Sequence, residues 1–146
     1  MNIRQQIYID LQDEDIIKYL VKANKGLNLK QDNNYMYYLH KDDDIKCNTY
    51  LEYMLLSNEE SDFAGNRNLS ENASVQIDIF SKYSNNIELL KSIKKVLKIK
   101  KYKIFDEYDD FEEKTKLYHT AFRFYIKRFI WKEWLVCQKQ KNRFTN

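Results

Sequence analysis

The chain has 146 residues, a net charge of +3, and 43% hydrophobic and 32% charged residues, which predict one folded domain and exclude a disordered chain. Its apolar runs are only a few residues long, far below the roughly 20 that a membrane helix needs. Because the first residues also lack a signal-peptide core, we expect the protein to stay inside the cell that makes it. The absence of proline and the presence of only two glycines argue against phosphate-binding glycine loops and dinucleotide motifs. Cys47 and Cys137 lie far apart without metal-ligand spacing, so we expect reduced thiols and no bound metal or cofactor.

The charges occur in blocks along the sequence. Segment 42–62 carries seven acids and one base, and segment 82–103 carries eight lysines and one acid. Segment 106–113 then carries six acids, and segment 114–143 carries nine bases and one acid. This layout favours association between unlike patches of identical subunits. Solvated faces that segregate without any partner explain it equally well.

The first part of the chain, up to Lys25, predicts a helix that stops at Gly26, although IYIDL within it also has the alternation of a strand. A turn is predicted at Asp32–Asn34. The next segments, 35–40 and 49–56, are rich in aromatic and branched residues and predict a hairpin.

The following segment, 57–73, is polar and lacks an apolar period, so it predicts a long loop. From Val75 to Phe80 apolar and polar residues alternate, which predicts a strand. A helix then begins at Asn85, with Glu88 forming a capping-box-like pair. Its predicted apolar seam consists of Ile87, Leu90, Ile93 and Leu97, widened by Leu89 and Val96. Its predicted basic stripe consists of Lys91, Lys94, Lys95 and Lys98.

Segments 102–111 and 117–128 predict a second hairpin joined by a short turn. In its second strand one predicted face holds Tyr118, Phe122, Phe124 and Ile126, and the other holds His119, Arg123, Tyr125 and Lys127. Residues 131–146 predict a short helix and a basic tail. The elements together predict an α+β domain over residues 1–130, with an antiparallel sheet and helices packed mainly on one face.

The sharpest candidate for chemistry is Asp78, an acid within a strand. A metal-dependent nuclease would combine Asp78 with Glu112 as Mg²⁺ ligands and Lys114 to orient the attacking water. However, Glu112 and Lys114 fall in a predicted turn, and a helix separates them from Asp78. A simpler interpretation pairs Asp78 with a cross-strand cation such as Arg123.

His40 and His119 each lie in an aromatic neighbourhood without the acid and nucleophile that a triad requires, so we expect packing or interface roles. The basic stripe, extended by Lys100, Lys101 and Lys103, could bind DNA phosphates, but solvated surface or a subunit contact is the favoured interpretation. We therefore expect a protein without a catalytic residue.

Several features occur in a recognisable order: an aromatic strand ending near Leu56, a polar loop with NRNLSE, the strand VQIDIFS, a helix beginning near Asn85, and the strand TKLYHTAFRFYI. Over about residues 49–128 this order resembles the tail terminator, or tail completion and head-to-tail joining, proteins of long-tailed bacteriophages and related prophage particles. The N-terminal region and the C-terminal segment have no counterpart in that pattern.

The resemblance implies a small α+β subunit that forms a ring, typically a hexamer, on the head-proximal end of the tail tube. Such a ring stops polymerisation of the tube protein and presents a surface to the head connector, with DNA at most passing through its lumen. The implied location is the virion neck, after assembly in the bacterial cytoplasm, with no membrane and no cofactor.

The polar loop would be an arm that reaches the tube or a neighbouring subunit. We expect interface residues in that loop, namely Asp62, Arg67 and Asn68, and at the tip of the second hairpin, namely Glu112, Glu113 and Lys114. Two alternatives remain open: a head completion or connector subunit, and the nuclease that uses Asp78.

Overall fold

The chain forms a five-stranded sheet in the order β1-β2-β3-β5-β4, with helices on one side. This computed structural model describes residues 2–27, 34–64 and 67–129. The elements are α1 (Ile3–Asp10), α2 (Glu14–Ala23), β1 (Met36–Tyr38), β2 (Thr49–Ala64), β3 (Arg67–Ser81), α3 (Ile87–Ile99), β4 (Lys103–Glu112) and β5 (Leu117–Phe129). The sheet is antiparallel except between β1 and β2, so the predicted α+β class is confirmed. Within these ranges no helix has the length and apolar character needed to cross a membrane.

The N-terminal region is helical, as predicted, but it contains two helices. Asn2 and Gln5 form a reciprocal capping box at the start of α1, so the strand alternative for IYIDL is wrong. The side chain of Asp13 accepts a hydrogen bond from the backbone of Asp15 and starts α2. A capping side chain competes with helix continuation, which explains the break. Gly26 lies just beyond α2 with a φ of 89°, in agreement with a helix stop.

The predicted hairpin of β1 and β2 is wrong, because the two strands are parallel. Met36 aligns with Leu51, and Tyr38 aligns with Tyr53. The residues between the strands therefore return along the sheet instead of making a tight turn, and Leu39 begins this return with a φ of 65°. Of the turn predicted at Asp32–Asn34, only Asn34 lies within the described residues.

The predicted loop at 57–73 is also wrong, because β2 and β3 continue through it as a long hairpin. Beyond a bulge between Leu55 and Ser57 the pairing resumes and extends to Ala64 and Arg67. We call residues 57–64 and 67–73 the hairpin arm. The described side chains at its base, Ser57 to Glu60, are exposed. On the β3 side of the arm the buried residues Ser70 and Ala73 are small. Backbone pairing does not need large apolar residues at regular spacing, so this polar sequence still forms strands.

The core lies between the sheet and the helices. One face of the sheet, here called the helix face, buries alternate side chains of the three central strands: Leu51, Tyr53, Val75, Ile77, Ile79, Phe122 and Phe124. On this face the rings of Tyr8 and Tyr53 lie 6.3 Å apart, those of Tyr102 and Phe124 lie 6.4 Å apart, and Lys94 Nζ of α3 lies 5.6 Å above the Phe122 ring. The opposite side of the sheet, here called the polar face, carries the alternate positions.

Helix α3 starts later than predicted and buries a shifted set of residues. Asn86 precedes its first turn without a side-chain cap, so the capping box at Asn85 and Glu88 is not formed. Ile87 is 56% exposed and does not belong to the seam. The buried residues are Leu89, Ile93, Val96 and Leu97.

The second predicted hairpin is confirmed as β4 and β5. Phe122, Phe124 and Ile126 share the buried helix face as expected, whereas Tyr118 on the same side is 40% exposed near the end of the sheet. The helix and tail predicted at 131–146 lie outside the described residues.

Candidate functional site

Two buried carboxylates lie next to each other on the polar face. Glu52 of β2 and Asp78 of β3 are aligned in register, and their side chains are only 6% and 5% exposed. Aligned residues on neighbouring antiparallel strands point to the same side. A buried ionised carboxylate is costly unless hydrogen bonds and opposite charges compensate it, so the partners of this pair define the site.

Asp78 is paired with His119, and the predicted pairing with Arg123 is wrong. His119 Nε2 lies 2.6 Å from Asp78 Oδ1, and Gln76 Nε2 donates to both carboxylate oxygens at 3.0 and 3.2 Å. Arg123 is aligned with Gln76 and donates to its Oε1 at 3.1 Å, while it lies 4.0 Å from Asp106. The side-chain amide therefore separates the guanidinium from Asp78, and the imidazole reaches Asp78 diagonally across the strands.

His119 lies between two carboxylates rather than alone among aromatic rings. Its Nδ1 is 3.9 Å from Glu112 Oε1, and its ring stacks on Phe80 at 4.3 Å with an interplanar angle of 8°. The hydrogen bond to Asp78 raises the pKa of His119, burial opposes this effect, and the negative charges of Asp78, Glu112 and Asp110 add to it. The arrangement favours an imidazolium held by carboxylates.

Glu52 is held by the segment that follows β1. Its Oε1 accepts a hydrogen bond from the Lys41 backbone at 3.0 Å, and the Nδ1 of the exposed His40 lies 3.2 Å away. Burial raises the pKa of Glu52, and the Lys41 and His40 contacts oppose that rise while nearby Asp78 supports it. His40 therefore has an acid partner that the sequence analysis did not predict.

The chemistry of this site is that of a satisfied ion-pair network. The imidazole of His119 lies between Asp78 and Glu112, the two carboxylates that a magnesium ion would share in the nuclease hypothesis. Lys114 lies beyond Glu112 in the turn between β4 and β5. Over the described ranges no cluster of three or more His, Cys, Asp or Glu side chains could hold a metal ion.

The predicted interface residues fall into two groups. Ala64 is aligned with Arg67, and Phe63 with Asn68, so Asp62, Arg67 and Asn68 come together near the tip of the hairpin arm. The other three, Glu112, Glu113 and Lys114, lie together at the start of the turn between β4 and β5.

The two groups lie at opposite ends of the sheet. Ser81, at the far end of β3 from Arg67, is aligned with Tyr118 next to the β4–β5 turn. At about 3.3 Å per residue, β3 separates the two ends by roughly 45 Å. A single patch of a partner cannot therefore contact both groups.

The sequence analysis missed the contact of Asp78 with His119, although it flagged each residue. Both were predicted on the polar sides of strands. The missing information was the pairing of β3 with β5, which brings residues 41 positions apart into contact. A lone histidine and a lone aspartate carry no local signal for that pairing.

No known family model matches this sequence, and no curated protein matches it either. Its function is therefore inferred from its own residues and their geometry.

Proposed function

We propose that the chain is a structural protein of a bacteriophage or prophage particle. In this proposal its copies form a ring, typically a hexamer, on the head-proximal end of the tail tube. The ring stops polymerisation of the tube protein and joins the tail to the head connector. Its working parts are protein surfaces, so it needs no catalytic residue or cofactor.

The observation that carries this proposal is the separation of the two groups of predicted interface residues. A joining protein needs unlike contact regions that can be occupied at the same time. The tip of the hairpin arm and the β4–β5 turn lie roughly 45 Å apart at opposite ends of the sheet. One end is suited to the tube and the other to a neighbouring subunit or the connector.

The hairpin arm supports the same proposal. The first strand of the sheet, β1, pairs with β2 only as far as Tyr53, so the outer part of β2 has an edge without a neighbouring strand among the described residues. Exposed strand edges are surfaces on which other chains dock. The exposed Glu59 and Glu60 on this strand disfavour pairing between two such edges. A basic partner is therefore the expected binder of this edge.

The test uses particles from which the gene has been removed. Electron microscopy of negatively stained particles should show overlong tails without attached heads, because nothing ends the tube. Tails of normal length without heads would instead assign the chain to the head connector and contradict the proposal. Purified chain added to tube protein should also stop tube growth at a ring-shaped cap.

A single substitution tests the hairpin arm. Arg67→Glu should reduce the restoration of normal tails by a plasmid copy of the gene by about tenfold or more, because a reversed charge at an interface opposes docking. Lys25→Glu makes the same charge change at an exposed position after α2 and should restore tails normally. If Arg67→Glu restores them as well as Lys25→Glu, the arm is not the contact region.

A further inference from the structure

We propose that copies of this chain associate by docking the free edge of β4 onto the lysine surface of α3 of a second copy. This inference rests on the proposed function, because it names the subunit contact of the ring. It uses a surface that lies outside both groups of predicted interface residues, apart from the end of β4 at Glu112.

The outer edge of β4 is an unusual surface. Within the described part of the chain, no strand pairs with it on that side, and every residue from Lys103 to Phe111 is exposed. Large apolar side chains that are about two-fifths exposed lie along it, namely Ile104, Phe105, Tyr108 and Phe111. Apolar side chains rimmed by charges are typical of protein contact sites.

The charge of this edge selects the partner. Five of the ten residues of β4 are acids and only one is a base. Two β4 edges would therefore repel each other, as would β4 and the acidic outer edge of β2. An isologous strand-to-strand contact is disfavoured, and a basic surface is the matching occupant.

The basic surface is provided by α3 and the residues after it. Its lysines on the side away from the sheet are exposed, namely Lys91, Lys95, Lys98, Lys100 and Lys101. The inward-leaning Lys94 already demonstrates the matching chemistry, because its Nζ lies 2.8 Å from Glu107 of β4 in the same molecule. No ion pair between described residues involves any of the five exposed lysines, so they are available to the β4 acids of the next copy.

The two surfaces differ in kind, and this determines the type of assembly. A contact between unlike patches is heterologous, and repetition of it generates a closed ring or an open filament. Lysines of α3 face outward from the helix side of the sheet, whereas β4 is the lateral edge. Each copy therefore offers one acidic strand edge and one basic helix surface.

The experiment uses two full-length variants that each lose one surface without gaining an opposite charge. The first variant is Lys91→Gln, Lys95→Gln and Lys98→Gln. The second is Asp106→Asn, Asp109→Asn and Asp110→Asn, which keeps an acceptor oxygen for the local hydrogen bonds of these side chains. Circular dichroism and thermal unfolding serve to check that both variants fold.

Analytical ultracentrifugation should show wild-type species larger than a dimer, whereas each variant alone should be monomeric or at least about tenfold weaker in association. A mixture of the two variants should form a dimer and nothing larger, because one intact contact remains per pair. Matched control variants remove the same number of charges elsewhere and should assemble normally: Lys18, Lys22 and Lys25 to Gln, and Glu14, Asp43 and Asp44 to Gln or Asn.

Four outcomes would overturn the inference, and the last of them would overturn the proposed function as well. Wild-type assembly by both variants would mean that the ring uses other surfaces, and the proposed function would stand. Loss of assembly in the controls as well would mean that net charge alone drives association. Loss of duplex DNA binding by the lysine variant, with unchanged assembly, would make α3 a nucleic-acid surface. A wild-type chain that is monomeric both alone and with tube protein would contradict the proposed function itself.

Discussion

At the scale of single residues, the contact of His119 with Asp78 is the feature with the strongest chemical consequence. The histidine side chain is 13% exposed and lies 2.6 Å from a buried carboxylate. Its protonated form neutralises Asp78, and its neutral form leaves that charge inside the sheet with only hydrogen bonds to hold it. Protonation of one side chain is therefore coupled to folding.

The raised pKa of His119 predicts that the chain is less stable at alkaline pH. Because the folded state binds the proton more tightly than the unfolded state, the stabilisation is complete below about pH 6.5 and is lost as pH rises through the raised pKa. His119→Asn should cost about 1.5–3 kcal/mol at pH 6, the range for a charge-assisted hydrogen bond, and less at pH 9. Urea unfolding across pH 6–9 measures this.

Two further variants separate the contributions of Asp78 and Glu52 to the pH dependence of stability. Asp78→Asn removes the main cause of the raised pKa, so its stability should also vary less with pH. Glu52→Gln should change stability at lower pH. The pKa of Glu52 is raised above its ordinary value of 4.5, so the stability that Glu52 contributes is lost as pH rises through the acid range. If wild type and His119→Asn gave parallel stability curves over pH 6–9, the coupling would be absent.

At the scale of elements, Asn24 joins α2 to the start of β2. Its Nδ2 donates to the carbonyl oxygens of Leu20 and Thr49 at 2.7 Å. Its Oδ1 accepts from the backbone of Asn48 at 2.6 Å and of Thr49 at 3.1 Å. The residue is buried, so one amide satisfies groups from a helix end and a strand start.

Replacement of this amide should weaken the connection between α2 and β2 and destabilise the fold. Asn24→Ala should lower the free energy of unfolding by about 3 kcal/mol or more, because several buried groups lose their hydrogen bonds at once. Chemical denaturation measures the change. Asn58→Ala removes one exposed amide that bonds to Glu71 and should cost less than about 1 kcal/mol; equal losses in the two variants would contradict this role of Asn24.

The elements also differ in how far the sequence predicted them. Strands and helices with one buried side were found, because burial imposes a period of two or of about 3.6 residues. The hairpin arm was missed because its described β2 residues are exposed and the buried positions of its β3 strand, Ser70 and Ala73, are small or polar instead of large and apolar. The parallel pairing of β1 was missed because parallel and antiparallel partners demand the same alternation, and only the path of residues 39–48 distinguishes them. The role of Asn24 was missed because its partners in β2 are distant in sequence.

At the scale of the whole molecule, the main feature is that acidic and basic residues lie on separate surfaces. The acidic blocks lie on the hairpin arm, on β4 and in the segment before β2, while the exposed lysines of α3 form the main basic surface of the described residues. The blocks were visible in the sequence, and the structure adds which of them lie on a free strand edge. The two ends of the sheet could not be recognised as opposite until the strand order was known.

Association of the chain should therefore depend strongly on salt. Contacts between exposed opposite charges are screened when the ionic strength rises, because the Debye length falls from about 10 Å at 0.1 M to about 3 Å at 1 M. The dissociation constant measured by ultracentrifugation should increase about tenfold or more between 0.05 M and 0.5 M NaCl. An assembly that tightens with salt would indicate an apolar contact instead.

The bulge in β2 has a consequence for the direction of the hairpin arm. Leu56, the extra residue there, has no aligned residue in β3 and is 42% exposed. A bulge bends a strand and increases its right-handed twist, and one inserted residue exchanges the sides to which odd and even positions point. Ser57 thus shares a side with Ser74 and the polar positions of β3, whereas Leu55 lies opposite Val75 over the core. A one-residue insertion therefore bends the hairpin arm away from the rest of the sheet. Its deletion would straighten the arm without turning its side chains over, because Ser57 would then follow Leu55 directly and still lie opposite Ser74.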